Sequence, residues 1–324
     1  MILADSFGRK FHYLRLSVED ACDYRCRYCL PGGYKKEEPE PPLSVDEIRR
    51  LTAAFAEMGF WKVRLTGGEP TLRRDLVEIA AAVAGTPGVR RVALSTNGAR
   101  LLALADDLAR AGVGAVNVSV DSLDRGRFKE ITGHDHLPQV LAGVERAQAL
   151  GMDVKLNAVL MKGLNDGEFA RFVELTREKP LGVRFIELMP TADNMDFFTQ
   201  RHLKAESLIG WLTENGWSEA PRAEADGPAR RFQKSGYAGS VGVIAPYAKD
   251  FCSTCNRLRV TSRGRLRMCL FAEGEHSLRP YLQRDDQRAE LQDGVRNLIG
   301  RKDVSHYLPE GKIGSTRHFA GIGG

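Results

Sequence analysis

Cys22, Cys26 and Cys29 stand at spacings of four and three in the stretch Ala21-Cys22-Asp23-Tyr24-Arg25-Cys26-Arg27-Tyr28-Cys29-Leu30-Pro31. Thiolates are the soft ligands that iron–sulfur clusters select. Three of them on a four-iron cube leave one iron without a protein ligand. That open iron can take a reactant, so the loop has the makings of a chemical site. A zinc knuckle is the competing reading, since C-x-x-C pairs also serve zinc.

The other three cysteines form a second set, Cys252, Cys255 and Cys269. A structural zinc site closes with four ligands, and no histidine lies close in sequence to supply the fourth. A distant ligand would complete such a site, so zinc and a cluster with an open iron both stand. Thr66-Gly67-Gly68-Glu69-Pro70 is a third candidate, because adjacent glycines let backbone groups approach a ligand closely. Five basic residues complete the set. Arg15, Arg64 and Lys155 lie on polar strand faces, and Arg257 and Arg259 follow Cys255. Guanidinium forks suit phosphate oxygens. No glycine loop ends in Lys-Ser or Lys-Thr, so a triphosphate would be held by side chains.

These residues sit on a repeated strand-then-helix rhythm. Expected strands are Phe11–Val18, Lys62–Thr66, Arg91–Ser95, Ala115–Val120, Asp153–Leu160 and Val183–Leu188. Helices are expected over Asp75–Ala84, Leu101–Ala111, Gln139–Leu150, Glu168–Arg177 and Glu206–Asn215. Before them, Ser44-Val45-Asp46-Glu47 reads as a capping box opening a helix with Ile48, Leu51, Phe55 and Met58 on one face and Gly59 as its stop.

Six βα units imply a parallel sheet with helices outside. A doubly wound sheet and an incomplete (βα)6 TIM-type barrel both satisfy the pattern. Strands buried on both faces read as continuous apolar runs. Here each of the first five has one polar face, which favours a partial barrel with a polar lumen.

After residue 217 the character changes. Short strands over Arg230–Gln233 and Val241–Ile244, a hairpin at Ser262-Arg263-Gly264 and a helix over Arg284–Leu298 are expected. The division is therefore a partial barrel over 1–217 and a small β-containing C-terminal domain over 218–324 that closes it.

The 324 residues are 43% hydrophobic and 27% charged, with a net charge of +5. No stretch approaches a membrane span, and Met1–Lys10 lacks the apolar core of a signal peptide. A cytoplasmic location is expected, without membrane or nucleic-acid partners. There thiols stay reduced, so six cysteines argue for metal sites over disulfides.

The CxxxCxxC pattern with the Gly-Gly-Glu-Pro segment one βα unit later resembles the radical S-adenosylmethionine (SAM) enzymes. The resemblance narrows through Arg64–Pro70, Ser95-Thr-Asn-Gly98, Asn117–Leu123, Arg184–Pro190 and Phe251–Arg259, in that order. Together these are similar to the GTP 3′,8-cyclase family of molybdenum cofactor biosynthesis, over about Arg9 to Gly324. Ala21, Asp23, Leu30 and Ser95 depart from the family's usual Arg, Asn, Met and Thr.

The resemblance implies two [4Fe–4S] clusters, the catalytic one on Cys22, Cys26 and Cys29 and a second on Cys252, Cys255 and Cys269. It implies SAM contacts from the backbones of Tyr28 and Gly68, the Ser119 hydroxyl, and Met189 near the adenine. Arg15, Arg64, Ser95, Lys155, Arg257 and Arg259 would contact GTP. The radical would abstract the 3′ hydrogen, and the resulting carbon radical would attack C8. A low-potential electron donor and a downstream cyclic pyranopterin monophosphate synthase are implied partners, and a homodimer is compatible. The family also ends in glycines, as in Gly321-Ile322-Gly323-Gly324, with a tail reaching the active site. A zinc- or cluster-bearing nucleic-acid binder, using Arg257–Arg267 as a basic patch, is the alternative from another class.

Overall fold

A computed structural model describes residues 2–36, 40–223 and 226–322. A small antiparallel ribbon of β1 (Leu3–Ala4) and β2 (Lys10–Phe11) precedes the main sheet. The chain then runs β3 (Tyr13–Glu19), α1 (Val45–Glu57), β4 (Lys62–Gly67), α2 (Leu76–Ala84), β5 (Arg91–Thr96) and α3 (Leu101–Arg110). It continues with β6 (Val113–Ser119), α4 (Arg125–Thr132), α5 (Leu137–Ala149), β7 (Asp153–Leu160), α6 (Phe169–Glu174) and β8 (Gly182–Glu187). Then follow α7 (Met195–Arg201), α8 (Ala205–Glu214), β9 (Ser218–Glu219), β10 (Arg230–Gln233) and β11 (Ser240–Ile244). Last come β12 (Arg257–Val260), β13 (Arg265–Arg267), β14 (His276–Ser277) and α9 (Arg288–Ile299).

The expected capping box is present: the Glu47 amide donates to Ser44 Oγ and the Ser44 amide to Glu47 Oε2. It starts α1 so that Ile48, Leu51 and Phe55 are fully buried. Each such side chain contributes about 1.5–3 kcal/mol by leaving water.

Strands β3 to β8 are parallel and lie in chain order across the sheet. A doubly wound sheet reverses its strand order at a switch point; here there is none. The architecture is the open TIM-type barrel, with helices outside and the polar strand faces inside.

What the pattern did not reveal is where the later strands go. β11 pairs in parallel with β8, and β12 pairs in parallel with β3. The sheet thus grows to twelve strands among the described residues, ending in antiparallel β13–β14 at one edge and β10–β9 at the other.

Helix α4 also escaped the periodicity reading, although Asp124 caps its start and Gly133, at φ 79°, ends it in the left-handed region. Two expected helices differ in extent. Residues 168–177 are helical only over Phe169–Glu174, and the last helix starts at Arg288.

Candidate functional site

The first cysteine loop leaves the carboxyl end of β3 and is pinned from two sides. The Arg25 and Arg27 amides donate to Thr132 O and Ile131 O at the end of α4 (3.0 and 3.1 Å). On the other side, the Gly68 amide donates to Glu19 O (2.8 Å) and the Glu69 amide to Ala21 O (2.7 Å).

This approach explains the paired glycines. A Cβ on Gly67 would stand 2.1 Å from Glu19 O, and one on Gly68 2.3 Å from Asp20 O and 2.4 Å from Ala21 O. Glu69, buried, accepts from the Thr71 and Asn97 amides and from the Thr71 and Thr96 hydroxyls at 2.6–3.0 Å. Its carboxylate knits the loops after β4 and β5 together. Asp23 accepts from Asn97 Nδ2 at 2.7 Å, a bond that either an Asp or an Asn oxygen can accept.

Cys22, Cys26 and Cys29 line one cavity with Tyr28, Gly68, Ser95, Ser119, Asp121 and Met189. All four residues expected at SAM are therefore on its wall. Tyr28 donates its hydroxyl to Asp121 Oδ2 (2.9 Å), and its carbonyl accepts from Asn194 Nδ2 (2.7 Å). Burial pushes the Asp121 carboxyl up to about 6, despite its bonds from the Val159 amide and Tyr28. Asp121 was not singled out from sequence. Its signal was the polar face shared with Asn117 and Ser119.

The second set lines an adjoining cavity. Cys252, Cys255 and Cys269 share it with Tyr13, Arg15, Lys62, Arg64, Arg184, Arg257, Arg259 and His306. Ser95, Ser119, Asn157, Ile186 and Met189 line both cavities, so the two cysteine sets face one lumen.

Register explains how the arginines converge. Arg259, Arg15 and Arg64 lie side by side on β12, β3 and β4, where neighbouring strands are about 4.8 Å apart. Arg64 Nε donates to Tyr13 Oη (2.5 Å), and its Nη1 to Leu94 O and Ser95 Oγ (3.0 and 3.2 Å).

Among the described residues, Arg64, Arg184, Arg257 and Arg259 have no carboxylate in ion-pair contact, and the Nε atoms of Arg257 and Arg259 lack hydrogen-bond partners. Burial, then repulsion from Arg15 and Arg257, lowers Arg259 to about 9. Burial and Arg64 lower Arg184 to about 10. Tyr13 shows the same field from the acid side. Burial would raise it, but Arg64, Arg15 and Lys62 bring it down to about 6. Buried charges without counter-ions are costly, and a polyanion in this cavity could offset that cost.

Five of the six expected substrate residues, Arg15, Arg64, Ser95, Arg257 and Arg259, meet here. Lys155 does not line this cavity. Its ammonium pairs with Asp153 (2.5 Å) in a neighbouring cavity that shares Lys62, Arg64 and Arg184. Lys62 and Arg184 were not singled out from sequence, although Arg184 opens one of the motifs quoted above. The imagined outer basic patch is turned inward, since Arg257, Arg259, Arg263 and Arg267 are all buried.

Each cysteine set could hold an iron–sulfur cluster on three thiolates. Zinc bonds sulfur at about 2.3 Å, which draws its ligands tightly together. Among the described residues no group of three or more His, Cys, Asp or Glu side chains is gathered closely enough for a single ion. All six thiols are free.

Burial pushes Cys22 up to about 12 and Cys29 up to about 11. Thiols of this kind become thiolates when metal displaces the proton. Cys255 goes the other way. Burial would raise it, but Arg257, Lys302 and Arg259 bring it to about 7. His306 stands in the same wall, with Nδ1 accepting from the Leu308 amide (3.0 Å), which leaves its hydrogen on Nε2.

A parallel open barrel carrying a three-cysteine loop at the mouth of its first strand defines the radical SAM class. Residues 16–176 match the model of the Radical SAM superfamily, whose members carry a [4Fe–4S] cluster and use SAM, and residues 181–308 match that of Molybdenum Cofactor Synthesis C. Streptococcus suis SuiB bound to S-adenosylmethionine shares the fold, with a TM-score of 0.64 at 14% identity over 88% of this chain and 68% of that one. A GTP 3′,8-cyclase of Stenotrophomonas maltophilia (strain R551-3) is 52% identical over 99% of both chains. One of Synechococcus elongatus is 48% identical over 100% of both. The chain belongs to the GTP 3′,8-cyclase family.

Proposed function

We propose that this chain converts GTP to 3′,8-cyclo-7,8-dihydroguanosine triphosphate, the first step of molybdenum cofactor biosynthesis. The observation that carries the reading is one lumen with three cysteines at each end and a buried arginine row between. Cys22, Cys26 and Cys29 would hold the SAM-binding cluster, and Cys252, Cys255 and Cys269 a second one toward the guanine. When bound, the first cluster supplies the electron that cleaves SAM to the adenosyl radical.

Every other task falls to the protein. Gly68 spends its amide on Glu19, so its carbonyl is the group left to meet the SAM amino group. Ser119 and Met189 lie on the wall common to both cavities, between the SAM and GTP positions. Arg15, Arg64, Arg257 and Arg259, with Lys62 and Arg184, would take the triphosphate, and Ser95 would orient the ribose end. Lys155 would reach the phosphates only by leaving Asp153. Enclosure keeps water and side reactions from the radical.

The small C-terminal part, 218–324, would provide the second cluster and close the substrate cavity. An external low-potential donor would supply electrons, and a cyclic pyranopterin monophosphate synthase would consume the product. No described helix is long and apolar enough to cross a membrane. The enzyme would work in the cytoplasm, alone or as a homodimer.

The test is an anaerobic assay of reconstituted protein with SAM, GTP and a reductant, read by mass spectrometry. Formation of the cyclised triphosphate with 5′-deoxyadenosine is expected. Deoxyadenosine without any change in GTP would overturn the substrate assignment.

A further inference from the structure

The lumen has a second mouth, at the amino ends of the strands and away from the first cysteine loop. A cavity of about 330 Å³ lies there, lined by Lys62, Arg91, Asp153 and Gly182, the first residues of β4, β5, β7 and β8. Lys62, Arg64 and Arg184 line both this cavity and the one proposed for GTP.

Paired residues run Arg64, Ala93, Ala115, Asp153 from β4 to β7. Two methyl groups thus stand where larger side chains would fill the space between Arg64 and Asp153. Asp153 Oδ2 takes two cations at once: Lys155 Nζ at 2.5 Å, and Arg91 Nη2, which reaches it across β6. Gly182, the partner of Lys155 on β8, gives the lysine stem its room, since a Cβ there would stand 2.9 Å from Lys155 Cγ.

Burial alone would raise the Asp153 carboxyl, but Lys155 and Arg91 hold it below its ordinary value, so it is charged at neutral pH. Of the residues lining the two basic cavities, only Asp153 and Asp226 carry carboxylates. Asp226 accepts from the Ala223 amide (2.8 Å). Among the described residues, Asp153 is therefore the carboxylate that holds cations of the lumen.

A carboxylate bridging two cations offers them what the end of a phosphate chain would offer. We propose that Asp153 stands in for the terminal phosphate of the substrate: in the empty enzyme it holds Lys155 and Arg91 at this mouth, and it yields both when the triphosphate arrives. The exchange costs little. The Asp153 side chain is 41% exposed, so water takes up the freed carboxylate, and ion pairs this exposed are weak. Arg91 thereby joins the substrate contacts, and Asp153 is a positioning residue that competes with the substrate. The product keeps its three phosphates, so the returning carboxylate also helps to release it.

The inference rests on the GTP reading above, and the experiment separates the two. Calorimetry on the reconstituted full chain compares GTP, GMP and guanosine for the parent, Asp153→Asn and Asp226→Asn. Removing a competitor tightens binding. Asp153→Asn is expected to bind GTP about five- to tenfold more tightly, with GMP and guanosine unchanged. A purely structural ion pair predicts weaker binding or no change. Asp226→Asn removes the same charge from the same cavity without touching Lys155 or Arg91, and should leave GTP affinity where it was.

Unchanged or weaker GTP binding in Asp153→Asn overturns the proposal. Equal tightening in Asp226→Asn, or of GMP, does so too, since that reports net charge alone. If Asp153→Asn does not fold, a crystal structure of the parent with GTP decides. Lys155 and Arg91 must both have left Asp153 for the terminal phosphate, and an intact pair beside bound GTP is fatal. A parent that binds guanosine as tightly as GTP would instead sink the triphosphate reading, and the inference with it.

Discussion

At the residue scale the cavity is defined by charge that the protein does not neutralise. Tyr13 is its reporter. Its phenol titrates near 6 when folded, against an ordinary value near 10. Between those values the unfolded chain holds a proton that the folded chain does not, so this residue's contribution to stability rises with pH. The contribution is complete above about 10 and lost as pH falls through about 6. A pH-difference spectrum should therefore show one tyrosinate near neutrality that Tyr13→Phe removes. Inorganic triphosphate should push the transition upward by neutralising the arginines. No neutral-pH tyrosinate would mean that the arginine field is weaker than the geometry implies.

Arg257→Ala and Arg259→Ala are expected to weaken GTP binding while sparing SAM. Losing one charge-assisted contact costs about 1.5–3 kcal/mol, roughly tenfold to a hundredfold in affinity. Calorimetry with GTP and with guanosine checks this, because a triphosphate role requires guanosine binding to be insensitive to both changes.

The cysteines and most of these arginines were legible, since thiol spacing and the polar face of a strand are local patterns. Asp121, Lys62 and Arg184 were harder to read, because their place on the cavity walls depends on strand register and not on their neighbours in sequence.

At the element scale the site is held by loops that spend their backbone groups on each other. Gly68→Ala places a Cβ against two carbonyl oxygens of the cysteine loop at 2.3 and 2.4 Å. Backbone cannot yield as a side-chain tip does. The variant should lose SAM-dependent activity and bind less iron, and a fully loaded, active Gly68→Ala would show that the loop can shift freely.

Glu69→Gln is subtler. One of the carboxylate oxygens becomes an amide nitrogen facing donors, at a cost of about 1–3 kcal/mol for a buried unsatisfied group. Thermal unfolding should show the loss even with the clusters intact.

The strands and most helices were readable from period and caps. Helix α4 was missed because its apolar residues are few, yet its last carbonyls fix the cysteine loop. Only the folded chain brings Thr132 and Ile131 beside Arg25 and Arg27.

At the scale of the whole molecule, the division after residue 217 meets a continuous sheet. β12 and β11 sit on the two outer strands of the six-stranded array. A fragment of residues 1–217 would bare both edges, and unpaired edges template aggregation. It should be recovered aggregated, or soluble only with a chaperone. A soluble fragment with a sharp cooperative melt would establish the first part as an independent domain. The barrel was legible because polar strand faces repeat along the sequence, whereas its extension was not. The pairing of Leu258 with Leu14 is a contact between the two ends of the chain, and local pattern carries no trace of it. Gly323 and Gly324, the glycines expected to enter the active site, lie outside the described residues.

That same pairing sets an order of events during synthesis. The strand beginning at Tyr13 leaves the ribosome 244 residues ahead of its outer neighbour, which begins at Arg257. Translation proceeds at about 5–20 residues per second, so the nascent barrel spends many seconds with an unfinished border and with its second set of thiols not yet made. Neither cavity can be complete until Phe319 and Ala320 of the one and His306 of the other have been made. The second set of thiols can take up no metal until Cys269 has been made, some 240 residues after Cys29.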